Sequence, residues 1–258
     1  MNSQAERIQE KKAELDALRP LSGRSLAALN AWYDVELTYT SNALEGNTLT
    51  RSETAIILEK GITIGGKPLK DHLEAIGHNE ALAYVRELAK EQEPIREADI
   101  RNIHRLVLQK IEPEEAGRYS NHLRLITGSP LILPSPAEIP ARMGDFARRL
   151  QKTQPTPEAA FDAHEGLVTI HPFSDGNGRT ARLLMNLLLL RSGYPPLVIS
   201  PEDRPAYHDS LEAVQIGGDQ AADYRFMNAR LEAALDHHLE ILQRGLTIRS
   251  ETATSAKQ

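Results

Sequence analysis

Apolar residues recur at helical spacing along most of the chain, and this pattern predicts a protein built almost entirely from α-helices. Ile8, Leu15 and Leu18 lie on one face of a predicted N-terminal helix. A second predicted helix begins near Ser25 and ends at Gly46, because glycine is common just beyond a helix end.

Capping sequences mark the starts of three further helices. TRSE at residues 50–53 is a capping box, and the helix that it opens is predicted to end near Gly61. SPAE at residues 135–138 and TPEA at residues 156–159 each place a hydroxyl residue before a proline, with an acidic residue in the first turn. Helices are also predicted for DHLEAIGHNEALAYVREL at 71–88 and READIRNIHRLVLQK at 96–110.

The helical pattern is interrupted once, in HLRLITGSPLILP at residues 122–134. Short β-prone runs flank Thr127, Gly128 and Ser129, which predicts a small hairpin. RTARLLMNLLLLRS, which follows at 179–192, is apolar nearly all round and predicts the buried central helix. With two last helices near 204–216 and 219–244, the fold class is all-α with one small β-hairpin and an N-terminal helical arm.

The amino-acid composition excludes several kinds of functional site. The 258 residues include no cysteine, which excludes a disulfide scaffold, a thiolate zinc site and a cysteine nucleophile. The formal net charge of −6 gives no basis for binding nucleic acid across the whole surface. The longest apolar run, LLMNLLLL, is too short to span a membrane, and the polar N-terminus does not resemble a signal peptide. We therefore expect a soluble, cytoplasmic protein.

The segment IHPFSDGNGRTAR at 170–182 concentrates the residues that suit phosphate chemistry. Its glycines precede the buried helix, and the free amides of a helix N-terminus bind anions. Arg179 and Arg182 are three residues apart on the first turns, so both can face one polyphosphate. Asp175 can hold a magnesium ion that bridges phosphates, and His171 is suited to act as a general base.

Each of these residues also has an ordinary structural interpretation. A histidine before proline is more often structural, and an Asp-Gly pair is usually a turn. Two arginines at a helix start are unfavourable for the helix dipole, which suggests a bound anion or a nearby acid. The concentration of all these features within one dozen residues favours the functional interpretation.

The segment HPFSDGNGRTAR resembles the signature of the Fic family, His-x-Phe-x-(Asp/Glu)-Gly-Asn-Gly-Arg-x-x-Arg, at every defined position. The resemblance extends over about residues 36–230 through AGRYS, SGYPP and RPAYHDSLEAVQIGGD. It is strongest to the family's animal enzymes of the endoplasmic reticulum and their bacterial relatives. It implies a helical Fic-type domain that transfers AMP from ATP to a hydroxyl of a protein side chain.

The resemblance also implies roles for the motif residues. His171 takes the proton from a target Tyr, Ser or Thr hydroxyl, and Asp175 ligates Mg²⁺, for which Mn²⁺ is an alternative. Phe173 anchors the loop in the core. The implied nucleotide-binding residues of the motif are Asp175, Gly176, Asn177, Gly178, Arg179, Thr180 and Arg182, with the two arginines on the β- and γ-phosphates and the Asn177 side chain near the α-phosphate.

Further positions follow from the same resemblance. The hairpin with Thr127, Gly128 and Ser129 resembles the flap that docks the protein substrate as an added strand, and these residues are also nucleotide-binding candidates. Tyr207 and Gln215 fall where the family contacts adenosine, although packing explains Tyr207 equally well. Self-modification and a homodimer are further possibilities among relatives, and no sequence feature decides the oligomeric state.

Glu45 belongs to the segment TSNALEGN, which resembles the family's inhibitory pattern (Ser/Thr)-x-x-x-Glu-(Gly/Asn). Ser41 and Glu45 are one helical turn apart. We expect the Glu45 carboxylate to pair with Arg182 and to take the place of the γ-phosphate, so that the protein inhibits itself. The resemblance divides the chain into an N-terminal arm at 1–35, an inhibitory helix and connector at 36–61, a Fic core at 62–245 and a flexible tail at 246–258.

Other activities stay open at this point. Glu45 could instead position a water that removes AMP from a modified protein. Transfer of another nucleotide, of phosphocholine or of a phosphate occurs on the same fold, and a non-catalytic nucleotide-binding module is a further alternative. A metallohydrolase site with His164 and His171 is excluded by their spacing, which does not match His-Glu-x-x-His.

Overall fold

A computed structural model describes residues 3–91, 93–126 and 130–255, with side chains described as far as residue 243. The all-α prediction is confirmed over this part of the chain. Its helices are α1 (Gln4–Ala17), α2 (Gly23–Leu44), α3 (Arg51–Lys60), α4 (Leu69–Lys90), α5 (Glu97–Leu108), α6 (Ile139–Leu150), α7 (Pro157–Ile170), α8 (Asn177–Arg191), α9 (Arg204–Gly217) and α10 (Gln220–Ser255), with a 3₁₀ turn at Pro201–Asp203.

The capping sequences behave as their chemistry predicts at two of the three sites. Thr50 and Glu53 form a reciprocal capping box at the start of α3, which ends at Gly61 with a left-handed backbone (φ 64°). The Thr156 side chain accepts a hydrogen bond from the backbone of Ala159 at the start of α7.

Two boundaries differ from prediction. The Ser135 amide and hydroxyl both donate to the Glu138 carboxylate, but this pair closes a separate turn, so α6 begins only at Ile139. Helix α10 continues to Ser255, and the predicted flexible tail at 246–258 therefore begins inside it. The extension has a simple cause, because the segment contains no proline and each added residue contributes a helical hydrogen bond.

The predicted hairpin is not present as strands in the parts of 122–134 that the structure describes. Its turn, Thr127, Gly128 and Ser129, lies outside the described residues. Leu125 and Ile132 are 90% and 92% exposed, so neither flank has a buried face that would stabilise a sheet. Arg124 Nη2 nevertheless donates to the Pro134 carbonyl at 2.6 Å, which joins the two flanks.

The core is centred on α8, as the apolar residues on nearly every side of this helix predict. Residues 179–189 are all buried, and the helix packs against α4, α5 and α7. Helix α2 packs against α3, α4 and α8, which brings its C-terminal end to the N-terminus of α8. It crosses the predicted boundary between residues 35 and 36 without a break, so the proposed division of the chain stays a prediction.

Helix α1, in the N-terminal arm, is held against the last helix, α10. Helix α1 packs along α10, and Arg7 Nε lies 2.7 Å from Glu232 Oε1. None of the described helices has a stretch that is both long and apolar enough to cross a membrane.

Candidate functional site

The candidate site is built around the loop between α7 and α8. His171 ends α7 in a left-handed conformation (φ 50°), which is uncommon for a residue with a side chain. Its Nδ1 lies 3.3 Å from the Val168 carbonyl. A proton on Nδ1 donated to that carbonyl leaves the lone pair of Nε2 available in the neutral ring. Burial lowers the His171 pKa, and the Arg124 charge adds to this, although Val168 and nearby acids oppose it.

Asn177 holds the loop from within. Its Oδ1 accepts from the Phe173 backbone amide and its Nδ2 donates to the Phe173 carbonyl, both at 2.9 Å. Asn177 is 2% exposed, and the Phe173 ring is fully buried. The structure thus gives the Asn177 amide a structural role in the loop, and the contact of this side chain with the α-phosphate stays a prediction.

His104 supports the same loop, and the sequence analysis did not identify it. Its ring stacks on Phe173 with centroids 3.6 Å apart. Nδ1 accepts from the Gly117 amide at 2.9 Å, so the neutral ring donates through Nε2 to the Asp175 carbonyl at 3.0 Å. Burial lowers the His104 pKa to about 4, so the ring is neutral near pH 7 and this hydrogen-bond pattern is fixed.

Arg182, on the second turn of α8, is held by the end of α2. Nη2 lies 2.7 Å from Glu45 Oε1, and Nε donates to Ser41 Oγ at 2.9 Å. Nη2 also donates to the Ser41 carbonyl at 2.9 Å. Burial disfavours the Glu45 carboxylate, but the charge and hydrogen bond of Arg182 outweigh burial and hold the Glu45 pKa below its usual value.

The Glu45 carboxylate lies directly on the N-terminus of α8. A methyl group at Gly178 would overlap Glu45 Oε1 and would lie 3.0 Å from Arg182 Nη1. The first amides of a helix have no intrahelical acceptor, and the helix dipole favours negative charge there. Glu45 therefore places a carboxylate where this helix end favours an anion, and the predicted phosphate position there stays a prediction.

Arg179 has a different environment from Arg182. It is 2% exposed and lies between two carboxylates, with Nη1 3.2 Å from Glu74 Oε1 and Nη2 3.1 Å from Asp175 Oδ2. Burial opposes ionisation of Asp175, but Arg179 and the Gly176 amide outweigh it and lower the Asp175 pKa. The two arginines therefore contact separate acids, and the expected joint binding of phosphates by both stays a prediction.

Asp175 fits the predicted magnesium ligand in chemistry and exposure. Its side chain is 43% exposed and ionised, and Mg²⁺ takes one or two carboxylates together with phosphate oxygens of a substrate. The described residues contain no cluster of three acids or histidines that would bind a metal without such help.

A cavity of about 610 Å³ opens beside Glu45 and the α8 N-terminus. Six of the predicted site residues line it: Glu45, His171, Gly178, Arg182, Tyr207 and Gln215. The remaining wall consists of Ile126, Val168, Arg204, Pro205, His208, Leu211 and Glu212. Its size and mixed lining are typical of a small-molecule site.

Tyr207 and Gln215 reach this cavity from α9. The Tyr207 hydroxyl lies 2.7 Å from His164 Nε2, and burial raises the Tyr207 pKa to about 12. Gln215 Nε2 donates to Thr169 Oγ1 at 2.9 Å. Both side chains thus have structural partners, and their predicted contacts with adenosine stay predictions.

Thr180 and Gly176, which are also predicted site residues, are not among the residues that line the cavity. Thr180 is fully buried, and its hydroxyl has no hydrogen-bond partner among the described residues. Gly176 turns the loop with φ 72°, and a methyl group there would meet the His104 ring at 3.3 Å. Thr127, Gly128 and Ser129 lie outside the described residues, although Ile126, directly before them, lines the cavity.

Sequence reasoning missed His104, Glu74 and His164, which all contact motif or cavity residues. Each is a polar residue at a buried position of a helix, being at most 8% exposed. A buried polar side chain needs a partner, so a polar residue on an apolar helix face is the signal that could have found them.

The chain is similar in sequence to known proteins of one family. The model of the Fic/DOC family matches residues 94–189. The protein adenylyltransferase Fic of Nematostella vectensis is 40% identical over 206 residues, which are 78% of this chain and 48% of that protein. The chain spans about half the length of the curated relatives that it matches.

Solved structures share the whole fold. A Fic domain-containing signaling protein from Bacteroides thetaiotaomicron has a TM-score of 0.83 and 32% identity, covering 92% of this chain and 98% of that one. Fic-1 from C. elegans has a TM-score of 0.81 and 33% identity, covering 92% and 71%.

Proposed function

The chain belongs to the Fic/DOC family, and on this premise we propose that it transfers AMP from ATP to a Tyr, Ser or Thr hydroxyl of a target protein. The observation that carries the proposal is the shared cavity of His171, Gly178 and Arg182. This arrangement combines a base, a helix N-terminus and a cationic fork, which are the groups that nucleotidyl transfer needs.

The reaction follows from the positions of these groups. The target hydroxyl oxygen bonds to the α-phosphorus while Nε2 of His171 takes its proton, and the bond to pyrophosphate breaks. The amides at the start of α8 and the Arg182 guanidinium stabilise the negative charge on the phosphates. Asp175 would hold a magnesium ion, which neutralises phosphate charge when it is bound.

Self-inhibition is the second part of the proposal. With Glu45 on the α8 N-terminus and on Arg182, the donors that a terminal phosphate requires are already used. The carboxylate would also repel the nucleotide's own negative charge. ATP can then bind only out of position for attack, so transfer requires Glu45 to move away.

Removal of AMP from a modified protein is the second candidate activity. It is favoured by the position of Glu45, whose carboxylate is 37% exposed and lines the same cavity as His171. A carboxylate there can orient a water and take its proton as the water oxygen bonds to the phosphorus of AMP. The bond from phosphorus to the side-chain oxygen then breaks, and protonated His171 gives that oxygen a proton, so that the hydroxyl is restored.

The finer partner assignments are also proposals. The exposed apolar side chains of Leu123, Leu125 and Ile132 offer a surface on which a protein substrate could dock beside the cavity. Self-modification and a homodimer are kept as expectations from the family resemblance. The cytoplasmic location is kept as an expectation from the hydropathy of the sequence.

The decisive experiment is protein labelling with ATP radiolabelled at the α-phosphate, in the presence of Mg²⁺. Wild type is compared with Glu45→Gly and with Glu45→Gly combined with His171→Ala. Glu91→Gly is the matched control, because Glu91 follows α4 as Glu45 follows α2 but lies outside the site.

We expect strong label only in Glu45→Gly and none after His171 is also replaced. Equal labelling of Glu45→Gly and Glu91→Gly would eliminate self-inhibition. Absence of label from every variant, with ATP still bound, would shift the assignment to AMP removal or to another nucleotide donor. Absence of ATP binding with and without Mg²⁺ would favour an inert scaffold that has lost the nucleotide site.

A further inference from the structure

Glu74 of α4 connects the inhibitory segment to the motif helix. Its Oε1 lies 3.2 Å from Arg179 Nη1, and its Oε2 accepts from Asn47 Nδ2 at 2.9 Å. Asn47 is two residues beyond Glu45, and its Nδ2 also donates to the Asp71 carbonyl at 3.1 Å. Glu74 is only 8% exposed, so these interactions are made with little competition from water.

The charges around Arg179 determine how much negative charge Asp175 has available for a cation. Among the described residues, Arg179 is the one cation that forms ion pairs with both Glu74 and Asp175, and the three groups together carry a net charge of −1. Lys70 Nζ, 3.8 Å from Glu74 Oε1 and 58% exposed, adds a weaker solvent-screened attraction to Glu74 and to the Asp175 carboxylate. A buried guanidinium needs a counter-ion, and Glu74 supplies one from the side that faces away from solvent.

We infer that Glu74 is a positioning residue: it neutralises Arg179 from within the core, so that Asp175 keeps an exposed negative charge for a divalent cation. The inference rests on the proposed function, because it concerns the cation that accompanies the nucleotide. Without the Glu74 charge, Arg179 has Asp175 as its only carboxylate partner in the described structure. Asp175 then serves as a structural counter-ion and attracts a cation less.

Asp175 and Glu74 differ in how far their side chains are exposed to solvent. The Asp175 side chain is 43% exposed, whereas that of Glu74 is 9% exposed. Only Asp175 can therefore contact a hydrated ion, while Glu74 acts through Arg179. Partners of this kind, which orient a ligand without touching the metal, commonly change metal affinity by about 10- to 100-fold when they are replaced.

The test measures ATP binding by calorimetry in EDTA and over a series of Mg²⁺ concentrations, in the Glu45→Gly background. Glu74→Gln keeps the shape of the side chain and removes its charge. We expect the Mg²⁺ concentration for half-maximal enhancement of ATP binding to rise about tenfold. ATP affinity in EDTA is expected to change far less.

Two control variants isolate the effect. Glu36→Gln removes another buried glutamate that is ion-paired, in this case with Arg51 at 2.6 Å, and is expected to leave the Mg²⁺ dependence unchanged. Asn47→Ala removes the second partner of Glu74 while keeping its contact with Arg179, and is also expected to leave it unchanged. An unchanged Mg²⁺ dependence in a folded Glu74→Gln protein, or an equal rise in Glu36→Gln, would overturn the inference.

A second variant covers failure of Glu74→Gln to fold. Glu74→Asp keeps the buried negative charge and shortens the side chain by one methylene group, which lengthens its contact with Arg179 without leaving an uncompensated ion in the core. Arg179 then depends more on Asp175, so the Mg²⁺ concentration for half-maximal enhancement should rise, but by less than in Glu74→Gln. An unchanged Mg²⁺ dependence in a folded Glu74→Asp protein would contradict the inference. The calorimetry does not depend on AMP transfer, so it tests Glu74 even if the parent shows no transferase activity.

Discussion

The Nη2 atom of Arg182 lies 2.7 Å from Glu45 Oε1 and 2.9 Å from the Ser41 carbonyl, while Nε is 2.9 Å from Ser41 Oγ. One turn at the end of α2 thus binds both nitrogens, Nε and Nη2, on one edge of the guanidinium group. The backbone and hydroxyl of Ser41 orient Arg182, and the carboxylate of Glu45 neutralises it.

Ser41→Ala is expected to relieve self-inhibition in part. The substitution removes the hydrogen bond from Arg182 Nε but keeps the backbone bond and the pair with Glu45, so Arg182 is held less firmly. A hydrogen bond to a charged group contributes about 1.5–3 kcal/mol, and the lower end of this range corresponds to an increase of about tenfold in labelling from α-labelled ATP. The increase should therefore be smaller than that of Glu45→Gly.

Thr40→Val is the matched control for this prediction. Thr40 is equally buried, but its hydroxyl donates to the Glu36 carbonyl within the same helix. Its replacement should leave labelling at the wild-type level. Labelling of Ser41→Ala at that same level would show that Ser41 Oγ has no part in inhibition.

The acidic limb of the pH–rate profile is expected to lie below the ordinary pKa of histidine, 6.5. Burial is the main reason that the pKa of His171 is lowered, and a general base is active in its neutral form. The rate of Glu45→Gly should therefore rise with pH through a midpoint below 6.5. Because the Glu45 charge raises the His171 pKa, replacement by Gln should lower it further, which a titration of the ring by NMR can measure. A midpoint at or above 6.5, or a higher pKa in Glu45→Gln, would contradict this.

The sequence predicted the helices well because the signals for a helix lie in residues that are close together along the chain. The capping box at Thr50 and the all-apolar face of α8 depend on residues within a few positions of each other. The described parts of 122–134 contain no strand, and α6 begins later than predicted. Both outcomes depend on what packs against those segments, which spacing along the chain does not encode.

The sequence likewise predicted one group of residues of the candidate site and missed another. His171, Asp175 and Arg182 are contiguous in one motif, so sequence alone brought them together. Glu74 and His104 reach the motif from α4 and α5, and only tertiary packing places their polar atoms on Arg179 and Asp175. Glu45 was found from its own short pattern, and its position on the α8 N-terminus required the fold.

Gly178→Ala is expected to destabilise wild type more than it destabilises Glu45→Gly. The added methyl group would overlap the Glu45 carboxylate, whereas without Glu45 it meets chiefly Arg182 Nη1 at 3.0 Å. Residues in contact commonly couple by about 0.5–3 kcal/mol. Thermal unfolding of the four proteins in this cycle measures the coupling.

Gly144→Ala provides the control for the glycine cycle. It is also helical, and an added methyl group there has its nearest neighbour, Arg148 Nη1, at 3.4 Å. It should stabilise both backgrounds alike, by up to about 1 kcal/mol. Equal effects of Gly178→Ala with and without Glu45 would mean that the carboxylate does not lie on Gly178 in solution.

Acid is expected to destabilise the fold from about pH 6.5 downwards. Burial lowers the pKa values of His104 and His238 to about 4, and those of His78 and His164 to about 3. Between these values and 6.5 the unfolded chain binds protons that the native chain does not, so stability falls as the pH falls. Each pKa unit corresponds to roughly 1.4 kcal/mol per group. Asp223 opposes this trend, because burial raises its pKa to about 6 and the native state binds its proton first.

Thermal unfolding of wild type and Asp223→Asn between pH 7.5 and 4.5 separates these contributions. The melting temperature of wild type should fall across this range, because four histidines outweigh one carboxyl group. The fall should be steeper in Asp223→Asn, since the substitution removes the group whose protonation stabilises the native state. A constant melting temperature of wild type would show that the buried histidines take up protons in the native fold. A shallower fall in Asp223→Asn would show that the pKa of Asp223 is not raised in the native fold.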